Sequence, residues 1–484
     1  MDNLSNQQSS NPGKTESQAH KVLELALDLF DFYSTSTSEP VAVRRSGPNI
    51  ALPFQGRGGT LRSVLGEELL KRKGIVLSDK SFKEASQILA AESYRSPREI
   101  PIRVGGTDER WFVDLGDATG AVVKVDADGW CVEERSPIPF MRTVLTSPMP
   151  QPVRGGKVDD IFQFINIPFE RRDLFVGCLV ASLFENIPHP VIQFDGEQGS
   201  GKSFAAQLFT ELLDPSLIPR RKPPKDIETW TTTAQGSYVI GIDNVAQISP
   251  FFSDALCRAV TGEGNVEREL FTNGGLFISK FRRIVLINGI RIIGIQDDLA
   301  DRLIRFKLPV IGNSSRKTER EILQGWAELR PGIYGAVLDI VSKVMRTLPG
   351  LEMDEMPRMA DFSRILAAMD MSTGSNALNQ YLDEVNVSAL SMVSEDPHLE
   401  FLGLIVGEGW TGSSRQLLDL AEAASGQTLA PAGFPDSARS MTNFLTRVAP
   451  TLRKAGWIAQ DMGSKNHGNV TIWHIVPPVP ESGP

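Results

Sequence analysis

Residues 191–209, VIQFDGEQGSGKSFAAQLF, run from an apolar segment through a glycine-rich turn into a stretch with helical spacing. The turn, Gly196-Glu197-Gln198-Gly199-Ser200-Gly201-Lys202-Ser203, fits the phosphate-binding pattern G-x-x-x-x-G-K-[ST] in full. Glycines at these places let backbone N–H groups curl around the β- and γ-phosphates, and the helix N-terminus adds partial positive charge. The lysine reaches the γ-phosphate and the serine hydroxyl holds Mg2+. Residues 191–194 are short and apolar, as a buried strand requires, and residues 203–213 contain no Gly or Pro. The alternative is a glycine turn that merely imitates the pattern, and the strand-turn-helix setting argues against it. The turn therefore predicts a P-loop site for ATP and Mg2+, with Lys202 as its catalytic cation and Ser203 as a metal ligand.

The chain has 484 residues, length enough for about two to four domains. A hydrophobic content of 41% and a charged content of 23% are those of an ordinary globular protein. The three cysteines, Cys131, Cys178 and Cys257, are far apart and have neither disulfide-framework nor zinc spacing, which fits a reducing cytoplasm. The first residues are polar, and no run approaches the roughly 18 apolar residues that cross a bilayer, so neither secretion nor a membrane role is expected. A net charge of −9 excludes a surface coated in cations. Between residues 437 and 475, however, Arg439, Arg447, Arg453, Lys454 and Lys465 face Asp461 alone. A second basic knot, PRRKPPK at 219–225, reads more simply as a solvated loop.

Composition divides the chain into six parts. Residues 1–18, rich in Ser, Asn and Gln, and 479–484 read as tails. Residues 19–150 form an α+β domain, with alternating strands in ERWFVDLGDATGAVVKVDADGWCVEE after a helix around 81–93. The Pro/Gly-rich stretch at 146–160 marks a boundary. Residues 151–345 hold the ATPase core with its preceding helices, 346–395 a helical connector, and 396–478 a DNA-binding domain. The fold class is α/β throughout the core.

Within the core, GSYVIGIDNVAQIS carries an apolar strand ending in Asp243-Asn244. A carboxylate at such a strand tip holds the metal, and a second acid commonly polarises the attacking water. Here Asn244 stands in that second place, so Asp243 serves the metal and Asn244 orients the water; an Asp that caps the next turn is the alternative. A third apolar strand, RRIVLINGI, ends in Asn288, whose amide is suited to the γ-phosphate or the lytic water. In DDLADRLIRFKLP, Arg302 precedes a strand-like run, where a fixed cation stabilises a transferring phosphoryl group or, in the simpler reading, pairs with Asp298 or Asp301.

The glycine turn, the Asp243 strand, the Asn288 tip and DLADRLIRFKLP occur in the order and spacing of superfamily 3 helicases and AAA+ ATPases of phages, plasmids and integrated elements. The chain resembles the ATP-binding proteins that accompany, or are fused to, primase-polymerases in actinobacterial mobile elements; WFVDLGD, SDALCRAVTGEG and INGI add to the likeness, which covers about 100–345 and more loosely the C-terminus. The resemblance implies an AAA+/superfamily 3-like ATPase working as a hexameric ring that threads DNA. Asn288 then takes the sensor 1 role and Arg302 that of an arginine finger or a sensor arginine. It also implies a channel hairpin before the Asn288 strand. VERELFTNGGLFISKFRR supplies two strand-like runs around a 272–275 turn. That turn carries no Lys or Arg, so Lys280, Arg282, Arg283 and Arg268 at the base are the candidate phosphate contacts, with a solvated hairpin as the alternative.

The C-terminal stretch reads as helix, turn, helix, a longer helix over 437–454, then two strands around MGSKNHGN, the order of a winged helix. Arg447, Arg453 and Lys454 on the recognition helix and Lys465 in the wing at 462–469 become candidate DNA contacts; protein docking is the alternative use of such a module. Between His20 and His189 there is no histidine, so a primase centre is not expected and a separate primase or polymerase is the implied partner. Asp114, Asp117, Asp126 and Asp128 read as turn residues. Two functions remain open: a DNA-stimulated ATPase of the DNA helicase class, for replication of a mobile genetic element, and an ATP-switched DNA-binding initiator or regulator with slow or no hydrolysis.

Overall fold

The computed structural model describes residues 17–56, 59–268, 276–290, 292–353, 356–424, 430–431, 433–464 and 471–478. Residues 1–16 and 479–484 of the expected tails, the hairpin turn at 272–275, most of the expected wing with Lys465, and the Arg268 side chain lie outside the described residues.

The chain begins with α1 (Gln18–Leu29), β1 (Phe30–Ser34), β2 (Pro40–Arg44), β3 (Ile50–Pro53), α2 (Leu61–Lys73) and α3 (Asp79–Ser93). It continues with β4 (Val104–Thr107), β5 (Arg110–Asp114), β6 (Val122–Asp126), β7 (Gly129–Glu133) and β8 (Phe140–Met141). These strands form two four-stranded sheets, ordered β1-β2-β3-β8 and β4-β5-β6-β7. Side-chain caps start the helices: the Ser78 hydroxyl accepts from the Ser81 amide at the head of α3. Asp126 and Asp117 accept turn amides, as turn residues do. Asp114 does not behave as a turn residue alone. It is fully buried and takes a forked pair of hydrogen bonds from Arg142, at 2.8 and 2.7 Å.

The two sheets pack on different partners. The first closes over α1–α3 in a core of its own, with Val22, Phe30, Leu65, Phe82 and Leu89. The second buries Val113, Val123, Val125 and Trp130 in the same core as residues far downstream, so the packing runs on through residue 150. A buried ion pair fastens it there: Arg103 donates through Nε to Asp214 at 2.7 Å, with the side chains 0% and 4% exposed. The other carboxylate oxygen of Asp214 accepts from the amides of Tyr238 and Val239 at 2.7 and 3.0 Å.

Next come α4 (Arg172–Ala181), β9 (Val191–Asp195), α5 (Lys202–Leu213), β10 (Arg220–Arg221), α6 (Ile227–Gln235), β11 (Val239–Ile242) and α7 (Pro250–Thr261). They are followed by the antiparallel pair β12 (Asn265–Arg268) and β13 (Leu276–Ser279), then β14 (Ile284–Asn288), α8 (Asp297–Ala300) and β15 (Leu303–Lys307). Five strands make one sheet, ordered β10-β11-β14-β9-β15, in which every pairing is parallel. Helices cover both faces, which is why β11 and β14 read as unbroken apolar runs rather than alternating ones. Phe194 stacks on Phe306 at 6.1 Å, and Phe175 meets both rings from α4. Truncating a ring in such a cluster costs about 3–5 kcal/mol. Because the strands are parallel, their carboxyl ends share one edge.

The remainder is α9 (Glu319–Thr347), α10 (Ala360–Thr373), α11 (Ala377–Glu395), α12 (Pro397–Val406), β16 (Trp410–Ser413), α13 (Ser414–Ala424), α14 (Ala438–Lys454), β17 (Ile458–Ser464) and β18 (Thr471–Val476). Trp130 Nε1 donates to Asp339 on α9 at 2.7 Å, joining the second sheet to that helix. The last three strands form an antiparallel sheet, β16-β18-β17, with its own core of Leu402, Leu417, Met441, Leu445, Leu452 and Trp473. Strand β16 was not expected; WTGS is short and half polar, without an alternation long enough to read. Among the described residues, no helix is long and apolar enough to cross a membrane.

Candidate functional site

The glycine turn joins the carboxyl end of β9 to the start of α5, at the shared edge. Gly196, Gly199 and Gly201 have φ of 139°, 85° and 88°, a region that side-chain-bearing residues avoid. At Gly196 the fit is also tight, since a Cβ would sit 2.5 Å from the Leu308 carbonyl oxygen. Lys202 opens α5, and its ammonium donates to the Gly196 and Glu197 carbonyls at 2.7 Å each, which holds the charge against the turn. Ser203 Oγ donates to Asp243 Oδ1 at 2.9 Å, linking the head of α5 to the tip of β11.

Asn244 has φ of 60°, the left-handed region in which Asn is among the few side chains tolerated. Its amide donates to Asn288 Oδ1 at 3.0 Å, and the Val245 amide donates to the Asn288 carbonyl at 2.8 Å. Asn288 is 2% exposed, and its Nδ2 has no hydrogen-bond partner among the described residues. The side-chain amide is thus oriented through its oxygen while a buried donor is left over. Lys202, Ser203, Asp243, Asn244 and Asn288 therefore come together on one edge.

Arg302 does not join them within the chain. It precedes β15 at the opposite end of the sheet, where its carbonyl accepts from the Val191 amide at 2.8 Å. Leu303 pairs with Val191 and Lys307 with Asp195, so Arg302 stands about 13 Å or more along the strands from the turn. Its guanidinium pairs with Asp298, the partner given by the simpler reading. Asp298 also takes Arg358, which reaches Asp301 as well.

The basic knot at 219–225 is not all solvated loop. Arg220 and Arg221 form β10 beside β11, and Arg220 Nη1 lies 3.6 Å from Asp243 Oδ2. Arg221 donates to the Thr233 carbonyl, and burial lowers its pKa from the usual arginine value. Nothing local in the sequence marks Arg220 for the site, because strand order alone brings it there.

The other candidate cations divide by what they hold. Lys280 is exposed at the foot of the β12–β13 hairpin. Arg282 donates to the Glu185 and Thr261 carbonyls at 2.9 and 3.2 Å, and Arg283 to the Ala234 carbonyl at 2.7 Å. Burial pulls Arg283 down to about 10, which leaves it a cation at neutral pH. On α14, Met441, Leu445, Val448 and Leu452 face the core, while Arg439, Asn443, Thr446, Arg447, Pro450 and Arg453 form the exposed stripe. Arg453 donates to the Ala459 carbonyl at 2.7 Å, and Lys454 pairs with Asp301. Of the predicted contacts on this helix, Arg447 stays exposed beside Arg439, with its guanidinium 5.8 Å from the Phe444 ring and its charge felt by Asp297.

His189 is buried, and desolvation, followed by the Arg282 charge, pushes it down to about 3, so it is neutral. No group of three or more His, Cys, Asp or Glu residues suited to a metal ion occurs among the described residues.

A parallel α/β sheet with polar residues gathered on its carboxyl edge, followed by a helical and strand-bearing module, is the frame that the comparisons meet. Residues 158–388 match the family model of the actinomycete integrative conjugative element replication protein, and residues 399–479 match that of the AICE RepA C-terminal domain. The coarse class follows: a replication protein of a mobile element. No curated protein matches the chain. An A-form apo structure of the NrS-1 C-terminal region is 11% identical and covers 95% of this chain and 99% of that chain, at a TM-score of 0.43. The X-ray structure of the JCV helicase is 15% identical and covers 49% of this chain and 69% of that chain, at a TM-score of 0.22.

Proposed function

We propose that the chain is a DNA-stimulated ATPase, a helicase or translocase that opens DNA during replication of its element. The observation that carries the reading is the convergence of Lys202, Ser203, Asp243 and Asn288 at the carboxyl edge of the parallel sheet. Glycines at positive φ, with no room for a Cβ at Gly196, a lysine at the helix head and a buried amide with a spare donor suit a triphosphate. Residues 196–203 cradle the phosphates. Ser203 and Asp243 would hold Mg2+, which, when bound, neutralises charge that develops on the phosphate oxygens. Asn288 donates to the γ-phosphate or the lytic water, and Asn244 holds Asn288 in place.

Arg302, at the far end of the sheet from its own turn, serves the site of a neighbouring copy, and the active form is a homo-oligomer, a hexameric ring. The order helix, strand, helix, helix and two strands after residue 396 is that of a winged helix. Its α14 presents Arg447 and Arg439 to DNA, and Lys280 lines the DNA path. A separate primase or polymerase supplies synthesis.

One observation favours the second reading, an ATP-switched binder. The backbone at Asn244 is left-handed, so a glutamate in that place would be strained and no second acid follows Asp243. Steady-state ATP hydrolysis with and without single-stranded DNA separates the two. Stimulated turnover supports the helicase class, tight ATP binding without turnover supports the switch, and failure to bind ATP overturns both.

A further inference from the structure

We infer that Arg316 is a phosphate-binding residue of the nucleotide site in its own subunit, a second cation on the polyphosphate chain beside Lys202. This rests on the nucleotide reading above. After β15 the chain does not leave the sheet edge. The Leu308 amide donates to the Asp195 carbonyl at 2.8 Å and the Ile311 amide to the Gly199 carbonyl at 3.3 Å, which lays residues 308–311 along the turn. Arg316 then comes back over it: a Cβ on Gly199 would lie 3.2 Å from Arg316 Nη2. Two residues later Thr318 and Glu321 form the capping box of α9, so the arginine leads directly into a fixed helix start.

Its partners separate it from the other arginines near the sheet. Arg220 lies beside Asp243 and Arg302 is paired with Asp298. Arg316 is exposed, and among the described residues its hydrogen bonding is one 3.4 Å contact from Nε to the Ile311 carbonyl. Neither Arg316 nor Lys202 has a carboxylate within ion-pair distance among those residues. Two like charges held against one glycine turn are completed by an anion, and a guanidinium whose Nη atoms are free offers the forked geometry that phosphate oxygens accept. The neighbouring Lys317 is turned toward the Phe164 ring, at 5.9 Å, and does not compete for that place.

The test is binding of a fluorescent ATP analogue to the full chain, compared across wild type, Lys202→Ala, Arg316→Ala and Arg316→Lys, with melting curves alongside. The inference expects Arg316→Ala to weaken binding about tenfold or more and Arg316→Lys to recover part of the loss. It also expects melting without nucleotide to stay at the wild-type temperature, because the side chain supports little structure. If wild type and Arg316→Ala bind within twofold of each other while Lys202→Ala fails, the nucleotide reading stands and this inference falls. If wild type itself does not bind, the nucleotide reading falls and takes Arg316 with it. Mixing Arg316→Ala with Lys202→Ala tests the subunit: both lesions sit in one subunit's cradle, so the mixture gains no sites of wild-type affinity, and the appearance of such sites would overturn the same-subunit placement.

Discussion

The carboxyl edge of the parallel sheet and the helix α14 both carry polar residues singled out by their chemistry, and the fold treats them differently. At the edge, the side chains hold one another: Ser203 to Asp243, Asn244 to Asn288. On α14, neighbours in sequence are sent to separate tasks, with Arg447 presented, Arg453 on a strand carbonyl and Lys454 on Asp301. A site set by backbone geometry restricts residue type at each position, whereas a run of positive charge restricts nothing about where each charge goes.

The sharpest way to break the comparison is at the edge itself. Lys202→Ala is expected to lower ATP turnover by about 10³ or more, since no other side chain of the turn is a cation; near wild-type turnover would remove the phosphate site. Arg302→Ala is expected to bind ATP normally and to lose about 10³ in turnover if it acts on a neighbour's site. Mixed with Lys202→Ala, it should recover part of the activity through composite sites, and a mixture that stays dead would make Arg302 structural or local. On α14 the effects are smaller and of two kinds. Arg447→Ala should reduce the slope of log affinity for duplex DNA against log salt by about one, while Lys454→Ala should leave that slope unchanged; equal slopes in the two variants would show that charge alone, without placement, governs the helix. The smallest effect is at Asn244. Asn244→Gly should change stability by a few tenths of a kcal/mol, and Asn244→Val should cost about 1–2 kcal/mol by chemical denaturation, because only the latter opposes the left-handed backbone.

The strands β9, β11 and β14 were legible because buried parallel strands are short, largely apolar runs with turn signals at their ends, and β15, LIRFK at the sheet's edge, because it alternates. The glycine turn was legible because its φ values exclude most residues. Arg220 was missed because its nearness to Asp243 comes from β10 lying beside β11, a pairing across crossover helices that no local pattern encodes. Arg316 was missed for a related reason, since its place depends on how residues 308–311 run after the strand ends. Arg283 carries the same charge as Lys280, and spacing cannot tell a cation that holds a carbonyl from one that meets solvent. The core residues of the β4–β7 sheet read as alternating strands, but the sequence does not say that their inner face packs on α9, about 200 residues later in the chain.

That last packing bears on how the protein is cut for study. An expression fragment that starts at residue 151 keeps the whole parallel sheet, yet it removes Arg103 and leaves the Asp214 carboxylate beneath the amides of Tyr238 and Val239 without its counter-charge. A buried acid stripped of its partner costs about 3–5 kcal/mol, a large part of the margin that keeps an ordinary domain folded. The same cut uncovers the apolar flank of α9 that Val123, Val125 and Trp130 had shielded. Such a fragment would be prone to aggregate however complete its motifs look on paper, and a shorter gene for the half that holds the parallel sheet should begin ahead of β4 so that Arg103 travels with the aspartate it neutralises.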